Sequence, residues 1–173
     1  IATGVYKARE VDLPGEDLAN IFPAMDFLTA SNKKGLGDDV ELFDNGTLNA
    51  EGKNIVVIGG GDTAMDCVRT SVRQNAKSVK CLYRRDKENM PGSAREVGNA
   101  EEEGVEFVWL SSPKEFIGKN KVESLIVNKI KLGEPDDSGR RKPEIQENSD
   151  FNIKADIVIK ALGFDAEDLP NLF

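Results

Sequence analysis

Asn54-Ile-Val-Val-Ile-Gly-Gly-Gly-Asp-Thr-Ala-Met-Asp66 decides the reading of this 173-residue chain. It joins a short apolar run, a glycine turn and the start of a helix. Within it Gly59, Gly61 and Ala64 form G-x-G-x-x-A, the pyrophosphate-binding fingerprint when it sits at a strand-to-helix turn. Gly59 permits the tight turn. Gly61 lacks a Cβ, so a pyrophosphate can approach the backbone. Ala64 is small enough for the helix to pack on the strand. The helix N-terminus adds free N–H groups and the positive end of the dipole.

The flanks support this reading. Ile55 to Ile58 is a continuous β-branched run, as in a parallel strand buried on both faces. Met65, Val68 and Val72 then recur at helical spacing, and Ser78-Val-Lys-Cys-Leu-Tyr83 reads as a second strand. The unit has the length of one βαβ crossover, roughly 30 residues. A glycine turn in an α/β domain without nucleotide is the plainer alternative.

The end of the second strand bears on cofactor choice. An acid about 20 residues past the glycines takes the ribose 2′-OH of NAD, whereas Arg accommodates the 2′-phosphate of NADP. The tip here is Tyr83-Arg84-Arg85-Asp86. The guanidinium fork donates two parallel hydrogen bonds and keeps its charge, which suits a phosphate. NADPH is therefore the expected ligand. Two other readings stay open: Asp86 as a displaced ribose acid, and a solvated Arg pair with Asp86 as its salt-bridge partner.

Hydrophobic residues make up 39% and charged residues 31%, an ordinary globular mix of about one domain. The net charge of −8 makes nucleic acid and anionic membranes poor partners. No apolar run approaches the roughly 20 residues of a membrane helix, and no signal peptide is visible. Cys67 and Cys81 form no CxxC, and His is absent, which disfavours a transition-metal site. They read as buried, reduced thiols of a cytoplasmic protein. The chain opens on Ile1 rather than Met, and the expectation is a piece of a longer protein.

Along the chain, Ile1 to about Glu51 does not read as a self-contained domain. Ile1-Ala-Thr-Gly4 suggests a strand end and turn, Leu13 to Asp17 a loop, Pro23 to Ala30 a short helix, and Lys33 to Asn49 a linker. Pro91 and Ser93 open a helix that runs to about Glu103 and stops at Gly104. Val105 to Leu110 reads as a third strand. Lys114–Ile117 and Val122–Leu132 suggest a hairpin around Gly118-Lys-Asn120. Gly133 to Pro143 reads as a loop extending toward Ser149, and Asp156–Lys160 as a final strand. The fold class is α/β: a Rossmann-like dinucleotide-binding domain with a central parallel sheet and an added antiparallel hairpin or meander.

The chain contains Gly59-Gly-Gly-Asp-Thr-Ala-Met-Asp-Cys67, Tyr83-Arg-Arg-Asp86, Asn89-Met-Pro-Gly-Ser93, Arg95-Glu-Val97 and Glu102-Glu-Gly-Val-Glu-Phe107. Together these motifs resemble the glutamate synthase small (beta) subunit family. Gly133-Glu-Pro-Asp136 and Ala161-Leu-Gly-Phe164 also fit. The glycine motif and Arg pair are shared more widely, with thioredoxin reductase-like and transhydrogenase-like flavoproteins.

The resemblance implies an FAD domain interrupted by an NADPH domain. NADPH then passes hydride to FAD, and electrons continue through iron–sulfur clusters to a large subunit, where glutamine and 2-oxoglutarate become two glutamates. It implies a connector from the FAD domain over 1–51, the NADPH-binding domain over 52–162, and a return connector over 163–173. The chain shows no FAD glycine loop and no cysteine-rich segment, so FAD and iron–sulfur clusters are expected in the full-length protein alone. The candidate cofactor contacts are Gly59, Gly60, Gly61, Asp62, Thr63 and Ala64, Arg84 and Arg85, and Gly163. No side chain stands out as acid, base or nucleophile, and hydride transfer needs none because the cofactors carry the chemistry. A ferredoxin:NADP transhydrogenase-type flavoprotein and a non-catalytic dinucleotide-binding module are the alternatives.

Overall fold

The computed structural model describes residues 7–135 and 141–165. Five parallel strands make the central sheet: β2 (Ile21–Pro23), β3 (Asn54–Ile58), β4 (Ser78–Leu82), β5 (Glu106–Val108) and β10 (Ile157–Lys160), in the order β2-β10-β3-β4-β5. Every neighbour pair is parallel. The chain moves outward on one side, β3 to β4 to β5, and returns as β10 on the other side of β3. The strand order therefore reverses between β3 and β10, the topological switch point where open α/β sheets bind ligands.

The continuous β-branched runs of β3 and β10 follow from burial on both faces. Ile55, Val57, Ile157 and Ile159 face helices α1 (Ala24–Gly35), α3 (Asp62–Arg73) and α4 (Ala94–Glu102). Val56, Ile58, Leu82 and Val158 face an antiparallel sheet of β6 (Ser111–Gly118), β7 (Val122–Pro135), β8 (Arg141–Ile145) and β9 (Phe151–Lys154). The result is three layers with two cores. Each fully buried Val or Ile contributes about 1.5–3 kcal/mol of hydrophobic stabilisation, so a polar residue on either face of β3 would be destabilising.

Helix ends follow local chemistry. After α3, Asn75 adopts φ +60°, and the Ala76 N–H donates to the Ser71 carbonyl at 3.2 Å. After α4, Gly104 takes φ +93°, and the Val105 N–H donates to the Ala100 carbonyl at 2.9 Å. Both are left-handed caps that satisfy late carbonyls. Arg69 on α3 ties the two helices together through Glu96 and, at 2.7 Å, Glu103.

Several segments differ from the sequence expectation. Gly133–Pro143 is not a loop in its described part: β7 runs on through Pro135, and β8 pairs with it antiparallel. β8 is nearly all exposed, so no apolar alternation marked it, and the ladder rather than burial holds it. Strand β9 also escaped the reading. The helix expected at Pro23–Ala30 extends to Gly35, and α2 (Glu41–Asp44) lies within the expected linker. Residues 21–50 supply an edge strand and the buried side chains Phe27, Leu48 and Ala50. Ile1 to Gly4 lies outside the described residues. Just after it, β1 (Lys7–Ala8) pairs antiparallel with β11 (Phe164–Asp165).

Candidate functional site

The C-terminal ends of β3, β4 and β10 meet at the switch point. The Gly59 N–H donates to the Leu82 carbonyl at 3.1 Å, and the Ala161 N–H to the Ile58 carbonyl at 2.8 Å. Gly59 has φ +148°, and a Cβ there would lie 2.1 Å from the Ala161 carbonyl oxygen. A Cβ on Gly60 would strike the Tyr83 ring at 2.4 Å. The first two glycines of the turn are thus required by the protein's own packing. Gly61 differs: a Cβ there meets nothing within 4 Å. It faces open space, where a ligand backbone contact is possible.

Gly61 is also the N-cap of α3, and no side chain caps that end. The first N–H groups of a helix have no intrahelical partner and carry the positive end of the dipole. They point where an anion is favoured.

A cavity of about 620 Å³ opens over this junction. Gly59, Gly60, Gly61, Thr63, Arg84, Arg85 and Gly163 all line it. Seven of the nine candidate contacts therefore share one space. The other two are placed elsewhere. Ala64 is fully buried in the helix-side core, in keeping with its packing role. Asp62 turns its carboxylate to the Ser93 N–H, with Oδ1 accepting at 2.9 Å.

The cavity walls carry three arginines, Arg9, Arg84 and Arg85, against one carboxylate, Glu10. Glu10 is paired with Lys160, and Arg9 with Asp165 at 2.7 Å. Arg84 is exposed, and the Arg85 Nε reaches the Arg141 carbonyl at 3.4 Å. Asp86 is engaged locally: its Oδ1 accepts from the Asn89 N–H at 3.0 Å and from Asn89 Nδ2 at 2.6 Å. That local turn removes Asp86 from the wall and weakens the ribose-acid alternative.

Sequence reasoning did not find the contribution of Pro91, the residues from Arg9 to Leu13 or the Ser111–Pro113 edge to the cavity. The Asn89-Met-Pro-Gly-Ser93 motif was visible, but its position over the glycine turn was not. Residues 9–13 are distant in sequence and reach the site through the β1–β11 pairing. Cys67 and Cys81 are free and buried, and burial pushes both thiols up, Cys81 to about 12. Neither is poised as a thiolate nucleophile. Among the described residues no carboxylate or thiol cluster is arranged to hold a metal ion, and no helix is long and apolar enough to cross a membrane.

A profile of the pyridine nucleotide-disulphide oxidoreductase family matches residues 1–170. The chain belongs to that family. It is 60% identical over all 173 of its residues to the glutamate synthase [NADPH] small chain of Azospirillum brasilense, and covers 36% of that relative. It is 49% identical over 166 residues to the namesake of Escherichia coli strain K12, spanning 95% of this chain and 35% of the relative. The chain thus spans about a third of the length of these curated relatives. Among solved structures, FprA of Mycobacterium tuberculosis in complex with NADPH matches with a TM-score of 0.77 at 19% identity, over 98% of this chain and 50% of FprA. That likeness shows the fold. The resemblance to glutamate synthase small subunits therefore extends along the whole chain, and the α/β architecture is that of the oxidoreductase family.

Proposed function

We propose that this domain binds NADPH across the β3–β10 junction and, in the complete protein, delivers its hydride to FAD as part of a glutamate synthase small-subunit-like oxidoreductase. The observation that carries the reading is the convergence of Gly61, the uncapped start of α3 and the Arg84–Arg85 pair on one cavity. The residues fit the ligand. A volume of about 620 Å³ lies within the usual range for small-molecule sites, about 300–1,000 Å³.

Bound NADPH supplies the hydride, and the protein's work is to hold and orient it. The open backbone at Gly61 and the first turn of α3 take the pyrophosphate. Arg84 and Arg85 take the 2′-phosphate with charge-assisted hydrogen bonds. Thr63 and Gly163 line the same cavity. The glutamate synthase [NADPH] name of the relatives supports the choice of nucleotide. On the same reading FAD and iron–sulfur clusters lie outside this chain, a glutamate-forming large subunit is the partner, and the protein works in the cytoplasm.

Anaerobic mixing of the complete protein with NADPH tests this. Flavin absorbance should bleach with NADPH and more slowly with equimolar NADH. A complete protein whose flavin is not reduced by NADPH, or that carries no flavin, would overturn the proposal.

A further inference from the structure

Residues 89–93 are tied to the glycine turn at two points and to Tyr83 at a third. The Gly92 N–H donates to the Gly60 carbonyl at 2.9 Å. The Ser93 N–H donates to Asp62 Oδ1 at 2.9 Å. The Tyr83 hydroxyl donates to the Asn89 carbonyl at 3.0 Å. The approach is close enough that a Cβ on Gly92 would stand 3.0 Å from the Gly60 oxygen. Gly60 is thus held between the Tyr83 ring on one side and Gly92 on the other. Tyr83 is in turn fixed edge-on against Trp109, with ring centroids 6.4 Å apart. Pro91, at the centre of the strap, lines the cavity.

We propose that Asp62 and Tyr83 are positioning residues that clasp the 89–93 strap onto the glycine turn, and that the clasp sets affinity for the portion common to NADPH and NADH. Asp62 is the first residue of α3, where a free carboxylate would compete with an incoming phosphate for the helix N–H groups. Its bond to Ser93 turns the carboxylate toward the strap instead. The glycine turn is then preorganised, and binding need not order it. This inference rests on the NADPH reading of the cavity.

The test uses the complete protein and two readouts. Amide exchange without nucleotide should show Ser93 and Gly92 protected. Asp62→Ala should lose the Ser93 protection, and Asp62→Asn, which keeps the Oδ1 acceptor, should retain it. Titration should then show Asp62→Ala and Tyr83→Phe each binding NADPH and NADH about fivefold more weakly, the equivalent of one net hydrogen bond. Asp62→Asn should restore both affinities, with melting temperatures unchanged. Exchange protection at Ser93 that persists in Asp62→Ala overturns the clasp. So does lost protection with unchanged affinity, or a loss confined to NADPH, which would route the effect through the Arg pair. A wild-type protein that binds neither dinucleotide overturns the NADPH reading, and the role of the clasp with it, even where Ser93 is protected.

Discussion

The carbonyl oxygen of Ala161 stands 2.1 Å from the point where a Cβ on Gly59 would fall. The ends of β10 and β3 touch there, backbone to backbone, beneath the cavity. Gly59 is required by the junction itself.

Gly59→Ala should therefore be a stability variant. The new methyl collides with main chain, and φ +148° disfavours any side chain. We expect a loss on the order of 3 kcal/mol, read as a lower denaturant midpoint. An unchanged midpoint would mean that the junction relaxes freely.

Gly61→Val should behave in the opposite way. Its Cβ meets nothing, and φ −90° suits any residue. The fold should survive with a change below about 0.5 kcal/mol. NADPH affinity should fall at least tenfold, about 1.4 kcal/mol, because a side chain would stand between pyrophosphate and backbone. Calorimetric titration alongside thermal melting separates the two effects.

The contrast between these glycines shows what the sequence made legible. The strand-turn-helix unit, both flanking strands and the Gly104 stop were readable because local pattern determines them. The division of labour among Gly59, Gly60 and Gly61 was not. It depends on Ala161 and Tyr83, which reach the turn through the sheet. β2 and β8 were missed for different reasons. β2 is three residues long, and β8 is held by its ladder while its side chains stay exposed. The strap was legible as a motif but not as a contact, because nothing local aims Ser93 at Asp62.

At the opposite ends of the strands, Asp156 Oδ2 accepts from the Asn54 N–H at 2.8 Å and from its side-chain amide at 2.6 Å. Ser78 donates to Asn54 Oδ1 at 2.9 Å, and Asn20 to the Asp156 carbonyl at 3.1 Å. This network staples the N-terminal ends of β10, β3 and β4. Burial alone would raise the Asp156 pKa, but the two Asn54 donors, together with the nearby charges of Lys154 and Lys121, outweigh it and hold the carboxyl below its ordinary 3.8. The folded pKa lies below the unfolded one. The carboxylate's stabilisation is thus complete above the unfolded value and is lost as pH falls through the folded value. Asp156→Ala should cost about 1–3 kcal/mol at pH 7, and the gap to wild type should narrow in acid. Denaturant unfolding at pH 7 and pH 3 checks both the size and the sign.

The central claim is that Arg84 and Arg85 select NADPH. Calorimetric titration of NADPH and NADH against the complete wild-type protein and the Arg84→Ala/Arg85→Ala variant tests it most directly. Each exposed charge-assisted contact is worth about 1.5 kcal/mol at the lower end, roughly tenfold in affinity. Wild type should prefer NADPH, the double variant should lose that preference with NADH affinity nearly unchanged, and added salt should shrink the wild-type margin. Equal affinities in wild type, or a preference that survives in the double variant, would contradict the assignment.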